Sequence, residues 1–307
     1  MRIVFMGTPE FSVSILESLI EKYDVVLVVT QPDKEVGRKK ILTPSEVKKC
    51  ALKHDIPIFQ PSKIKNDYEP ILSAKPDIII TAAFGQFIPD VILECAPFGA
   101  INVHGSLLPK YRGGSPIQTS IIKGEKETGI TIMYMAKKMD AGNIIKQRSV
   151  PILDTDTNGT MFKKLSELGR DLLNEVLPTI FDKTNDSIPQ DETMATYAYN
   201  ITHEEQFINW NDLSKNIFNL VRGLNPNPTA LTNFNDLIVK IYFVEIVDCD
   251  DDCEVGTIVK LDNKELWVKT IDGAVSIKDI QLAGKNRMDI RSFLNGQKLI
   301  KLGDKFY

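Results

Sequence analysis

The sequence predicts an α/β fold, a mostly parallel sheet with helices on both faces, followed by a smaller β-barrel or sandwich. Three observations carry this reading. Over the first half, short apolar runs alternate with stretches of helical spacing. DVVLVVT and DIIITA each hold an unbroken apolar stretch, as strands buried on both faces do. Late in the chain the helical spacing gives way to short alternating runs separated by Asp-Asn and Asp-Gly turns. A length of 307 residues is most simply two domains.

The elements follow in order. Arg2 to Met6 is a short buried strand; GTPEF turns the chain, and Phe11 to Ile20 has helical spacing. Asp24 to Thr30 is a valine-rich strand, and Pro44 to Lys53 is a helix with Pro44 as its first residue. Ile56 to Phe59, Asp77 to Ala82 and Ala100 to Val103 are further strands. Thr131 to Tyr134 and Asn143 to Val150 are strands joined through KKMDAGN, and Thr157 to Asp182 is a long helix. A polar, mixed stretch follows, then a helix near Leu213 to Leu224. The late strands are Leu237 to Val247, Gly256 to Leu261, Glu265 to Ile271 and Ala274 to Ile280. The expected division is a first domain over 1–189, a linker over 190–207 and a second domain over 208–307.

Composition narrows the function. The net charge of -4 excludes a globally basic surface, so a nucleic-acid partner needs a local patch. The four cysteines, Cys50, Cys95, Cys249 and Cys253, lack the spacing of a metal site, and no metal is expected. The apolar run in MRIVFMGTPEF is too short for a signal peptide. No run approaches 18 apolar residues, so no membrane span and a cytoplasmic location are expected. The acidic run DCDDDCE reads as a solvated hairpin tip. The GTPEFS turn fails as a dinucleotide fingerprint: only Gly7 is present, and Glu10 would repel a pyrophosphate.

The stretch AINVHGSLLPKYRGGSPI is more informative. Asn102 and His104 lie two apart on a strand, so their side chains share one side of the sheet. They stand at the strand's carboxyl end, where open α/β sheets bind ligands. The Pro and Gly residues that follow form an irregular loop able to present backbone groups to a flat heterocycle. Asp140, in KKMDAGN, completes a set that can run an acyl transfer. Asn102 can donate to an oxyanion; His104 can donate as the imidazolium or move a proton; Asp140 can hold the imidazole or accept a proton through water. No nucleophile elbow is present, so direct transfer without an acyl-enzyme is the simpler scheme.

The stretch from Asn102 to Ile145 closely resembles the catalytic segment of folate-dependent formyltransferases. The matching residues are Asn102, His104, Ser106 to Pro109, Arg112, Gly113, Asp140 and Gly142. The resemblance implies a Rossmann-like catalytic domain with Asn102, His104 and Asp140 as its catalytic residues. It implies 10-formyltetrahydrofolate as formyl donor, bound by Ser106, Leu107, Leu108 and Pro109 and by Phe84, Gly85, Gln86 and Phe87. It also implies an amine as acceptor.

Similarity to one branch of that family runs nearly the full length, through MRIVFMGTPEF, TQPDKEVGRKK, QDETMATYAYNITHEEQFINW and AGKNRM. In that branch the acceptor is the α-amino group of initiator methionyl-tRNA and the C-terminal domain is an OB-like barrel that helps hold the tRNA. The loop from residue 31 to 49 carries Lys34, Arg38, Lys39, Lys40, Lys48 and Lys49 against Asp33, Glu35 and Glu46. The resemblance makes Arg38, Lys39 and Lys40 a clamp for the acceptor stem. Asn227 stands where the family usually has Trp, and Asn200 and Asn209 where Lys and Asp are common. The rival is a formyltransferase acting on an amino sugar nucleotide, which would need no basic loop. A monomer is expected.

Overall fold

The computed structural model describes every residue except Arg38 and Lys298. The chain forms two compact units. The first comprises Met1–Pro116, Glu127–Pro151 and Phe162–Tyr199; the second comprises Ile117–Lys126, Ile152–Met161 and Asn200–Tyr307. Residues 190–199 thus pack with the first unit.

The first unit is built on β1 (Arg2–Gly7), α1 (Val13–Lys22), β2 (Asp24–Val29), the short strands β3 (Lys34–Val36) and β4 (Ile41–Thr43), and α2 (Glu46–Lys53). β5 (Ile58–Phe59), α3 (Glu69–Ser73), β6 (Ile78–Ala82), α4 (Asp90–Leu93) and β7 (Ala100–His104) follow. β8 (Glu127–Tyr134) and β9 (Ile144–Pro151) complete its strands; α5 (Pro116–Ile122) falls in the second unit from Ile117 on, and α6 (Asn158–Phe181) belongs to the first unit from Phe162 on. Seven strands form one sheet in the order β5-β2-β1-β6-β7-β8-β9. The pairs from β5 to β7 are parallel; β7–β8 and β8–β9 are antiparallel. The central strands are apolar without alternation because both faces are covered: every residue of β6 is buried.

Two local readings change. α2 begins at Glu46, not at Pro44: Ser45 is its cap, with extended backbone (φ -63°, ψ 156°) and a side chain that accepts from the Lys48 N–H, so Pro44 lies one residue before the cap. The loop from 31 to 49 contains an antiparallel β3–β4 hairpin apart from the main sheet.

The second unit carries α7 (Ser214–Leu224) and an antiparallel sheet of β10 (Ala230–Phe234), β11 (Leu237–Val247), β12 (Ile258–Leu261), β13 (Leu266–Lys269), β14 (Ala274–Leu282) and β15 (Met288–Asp289), then α8 (Ile290–Gly296). The order is β10-β11-β14-β13-β12, with β15 on β14. Its core includes Trp210, Phe218, Phe234, Phe293 and Phe306, and Trp210 satisfies its indole N–H on Thr232 Oγ1 at 2.9 Å. Asn227 is exposed, and its carbonyl accepts from Asn158 Nδ2 at 3.1 Å.

Candidate active site

The end of β7 lies beside the end of β6, and this pairing sets the first member of the site. Asn102 is in register with Thr81. Thr81 Oγ1 donates to Asn102 Oδ1 at 2.8 Å, which turns the amide so that Nδ2 has no partner among the described residues and is left to donate outward.

His104, two residues on, is only 5 % exposed. Its Nε2 lies 3.0 Å from the Tyr111 carbonyl oxygen. A carbonyl can only accept, so Nε2 carries a hydrogen and Nδ1 is the nitrogen left for chemistry. Nδ1 is 3.8 Å from Asp140 Oδ2. That is a charge-pair separation, longer than a hydrogen bond. The hydrogen bond that orients the imidazole is thus made to Tyr111, with the Asp140 carboxylate at charge-pair distance on the other side.

Asp140 is held by other means. Its backbone is left-handed (φ 48°), and Oδ2 accepts from the Gly113 N–H at 2.8 Å. Both glycines around it are obligatory. A Cβ on Gly142 would lie 1.8 Å from the Tyr134 carbonyl oxygen. Gly113 has φ +122°, and its Cβ would lie 2.5 Å from the Ala198 carbonyl oxygen.

The segment from 190 to 198 organises all of this. Gln190 Nε2 donates to the carbonyls of Asp140 and Gly142, both at 2.8 Å. Thr196 Oγ1 accepts from the Tyr111 N–H at 2.9 Å, and the Thr196 carbonyl accepts from the Arg112 N–H at 2.9 Å. Ala198 N–H donates to the Arg112 carbonyl at 2.7 Å, and Ser115 N–H to the Ala198 carbonyl at 3.0 Å. The peptide unit joining Tyr111 to Arg112 thus faces Thr196 with its N–H and His104 with its C=O. Hydrogen bonds in series across one peptide polarise one another.

Arg112 anchors the strap. It is fully buried and is among the largest such side chains. Its guanidinium donates to Gln190 Oε1 at 2.8 and 3.1 Å and to both carboxylate oxygens of Glu192 at 2.9 and 3.2 Å. Burial works to lower its pKa, but Glu192 and Tyr197 outweigh burial and the net shift is upward. Hydrogen bonds from Arg112 and Lys138 in turn hold the Glu192 carboxyl down to about 2. Sequence reading took this segment as the start of a linker. Its one local signal was Gln-Asp-Glu-Thr, a run rich in side chains that can bond backbone.

The residues expected to hold the donor divide by burial. Ser106 is fully buried; its hydroxyl donates to the Lys110 carbonyl at 2.6 Å, and its own carbonyl accepts from Thr131 Oγ1 at 2.6 Å. Leu108 is buried, with its N–H on Thr131 Oγ1 at 3.1 Å and its carbonyl accepting from Gln147 Nε2 at 2.8 Å. Phe84 belongs to the core, and Gln86 is engaged by the Ile64 N–H and the Pro61 carbonyl. These side chains shape the two loops. Leu107 and Pro109 are half-buried, and Gly85 and Phe87 are exposed, so these four can present surface to a ligand.

On the β3–β4 hairpin, Lys39 and Lys40 are exposed, while Arg38 lies outside the described residues. Lys40 pairs with Glu35 at 3.8 Å, Lys48 with Asp33 at 2.7 Å and Lys49 with Glu46 at 2.6 Å. Much of the positive charge read from this loop is therefore compensated within it. Among the described residues, no three His, Cys, Asp or Glu side chains stand together as a metal set, and no helix is long and apolar enough to cross a membrane.

A family profile described as formyl transferase matches residues 1–177, and one described as formyl transferase, C-terminal domain, matches residues 200–298. The chain is 52 % identical over 307 residues to a methionyl-tRNA formyltransferase of Staphylococcus aureus (strain bovine RF122 / ET3-1), covering 99 % of each chain. Among solved structures it resembles the sugar 3N-formyl transferase WlaRD, determined with dTDP and 5-N-formyl-THF. The TM-score is 0.67 at 21 % identity, over 93 % of this chain and 99 % of that one. It also resembles HypX from Aquifex aeolicus in complex with tetrahydrofolic acid, with a TM-score of 0.65 at 16 % identity over 99 % of this chain. The chain spans about half of HypX, 48 % of its length. At these identities the two structures speak for the fold alone.

Proposed function

Because the chain belongs to the formyl transferase family, we propose that Asn102, His104 and Asp140 carry a formyl transfer from 10-formyltetrahydrofolate to the α-amino group of initiator methionyl-tRNA. The overall reaction is that of its relative at 52 % identity over the full length. The observation that carries the residue assignment is the convergence of an unengaged amide donor, an imidazole whose free nitrogen is Nδ1, and a carboxylate 3.8 Å from that nitrogen.

The amine attacks the formyl carbon, a C–N bond forms and the carbonyl oxygen becomes an oxyanion. Asn102 Nδ2 and the protonated His104 Nδ1 donate to that oxygen. Asp140 faces the imidazolium and takes the proton that the amine loses, directly or through water. The tetrahedral carbon then collapses, the bond to N10 of the folate breaks and the proton passes to N10. Leu107, Pro109, Gly85 and Phe87 supply the surface against which the flat donor rests. All three proposed catalytic groups come from one unit of a single chain, which is in keeping with a monomer as the working form.

The direct test incubates the protein with 10-formyltetrahydrofolate and either Met-tRNA or candidate amino sugar nucleotides. Formyl-methionyl-tRNA should accumulate, with no product from the sugar amines; the reverse pattern would sink the reading. The basic hairpin makes a second prediction. The triple substitution of Arg38, Lys39 and Lys40 by Ala should raise the KM for tRNA and flatten its dependence on salt, because phosphate contacts act by counterion release. An unchanged salt slope would refute the clamp.

A further inference from the structure

Tyr197 and Tyr199 are exposed aromatic side chains on a largely exposed segment that touches the first unit through Ala198. Ala198 between them is buried against the catalytic loop, while Tyr197 is 43 % and Tyr199 is 70 % exposed. Alternation along an extended segment puts both rings on the outer side. The rings are parallel within 5°, with centroids 5.8 Å apart. The pair is anchored from below: Tyr197 is bridged to Arg112 through the backbone. Tyr199 carries no other ring or cation on its face among the described residues.

Burial does not account for this arrangement, because Tyr199 leaves most of its surface in water. Position offers a use. Ala198 bonds Arg112 and Ser115, and Gly113 between them bonds Asp140. The ring pair therefore stands a few residue lengths, roughly 10 Å, from the catalytic carboxylate. An amino acid esterified to the end of a tRNA can reach Asp140 only if the terminal nucleoside lies next to the site. That nucleoside is unpaired, and an unpaired base offers a π-face to any aromatic side chain that is already held still.

We propose that Tyr197 and Tyr199 form a stacking platform for an unpaired base at the 3′ end of the acceptor tRNA, with Tyr199 as the contact face and Tyr197 as its backing. The proposal rests on the reading of the acceptor as methionyl-tRNA. Stacking is sequence-tolerant and weakly salt-dependent, so the platform would locate the end of the tRNA without selecting which tRNA is bound.

The experiment uses the full-length protein, Tyr199→Ala and Tyr199→Phe, with Met-tRNA and with a tRNA bearing 2-aminopurine in place of its 3′-terminal adenine. In Tyr199→Ala the KM for Met-tRNA should rise about 5- to 100-fold. The KM for the folate donor and the salt slope should stay at the wild-type level, and Tyr199→Phe should behave as wild type. Binding should quench the 2-aminopurine fluorescence with wild type and with Tyr199→Phe, and the quench should be lost with Tyr199→Ala. A quench retained in Tyr199→Ala overturns the platform, whatever the KM. If the wild-type protein binds the labelled tRNA but formylates no Met-tRNA, the reading of the activity fails, and the quench still decides the platform.

Discussion

His104→Ala is expected to lower turnover at saturating substrates by about 10²–10³, the usual cost of one lost oxyanion donor. The KM for the folate donor should change little, because His104 is buried beneath the site and the half-buried or exposed Leu107, Pro109, Gly85 and Phe87 face the ligand. His104→Ala takes away the group that spans the Tyr111 carbonyl and the Asp140 carboxylate. Asn102→Ala should have an effect of the same order through the second donor. Single-turnover rates separate chemistry from binding. Near-wild-type rates for His104→Ala would remove this residue from the chemistry and leave its bond to Tyr111 as a purely structural contact.

Arg112→Ala should damage stability and turnover together. Gln190 Oε1 would lose both of its donors, and an unsatisfied acceptor costs about 1–3 kcal/mol. The space left by a fully buried side chain adds a cavity cost of roughly the same size. A fall in Tm of about 5–15 °C follows. Turnover should fall as well, since Gln190 would no longer hold the Asp140 backbone in its left-handed turn. Arg112→Lys should rescue little, because one ammonium cannot reproduce a planar fork shared between an amide and a carboxylate. Thermal melting and kcat measured on the same preparations check this; a Tm within a degree of wild type would show that the clasp is dispensable.

Glu192 adds a pH dependence of known sign. Its carboxyl is held at about 2 in the folded protein against an ordinary 4.5, so the clasp contributes fully above about pH 4.5 and is lost as the pH falls toward 2. Glu192→Gln should remove that part of the acid sensitivity.

Much of the first unit was legible in the sequence. Buried parallel strands need continuous apolar runs, so β1, β2, β6 and β7 announced themselves, and the rule that ligands lie at strand carboxyl ends pointed to Asn102 and His104. Asp140, which the fold sets 3.8 Å from His104 Nδ1, could be singled out because KKMDAGN lies between two readable strands. The strap was not legible. Gln190, Thr196 and Ala198 act through scattered long-range hydrogen bonds, such as Gln190 to Asp140, 50 positions away, and Tyr111 to Thr196, 85 positions away, and such pairings leave no period in a sequence. The partner of His104 was missed for a similar reason, since a backbone carbonyl carries no residue-type signal. β10 was missed because five residues after a run of Asn and Pro are too few to show alternation.

The strap also sets a timetable. A chain emerging from the ribosome presents β1 to β7 early, with Asn102 and His104 already at the sheet edge. Yet the Tyr111–Arg112 peptide, whose C=O aims the imidazole, meets the acceptor of its N–H only when the Thr196 carbonyl arrives, 84 residues after Arg112. The geometry proposed for catalysis therefore comes last, after α6 has been made and the chain has doubled back. A nascent or prematurely terminated product ending before Gln190 can own the sheet and both of its polar side chains and still lack a working centre.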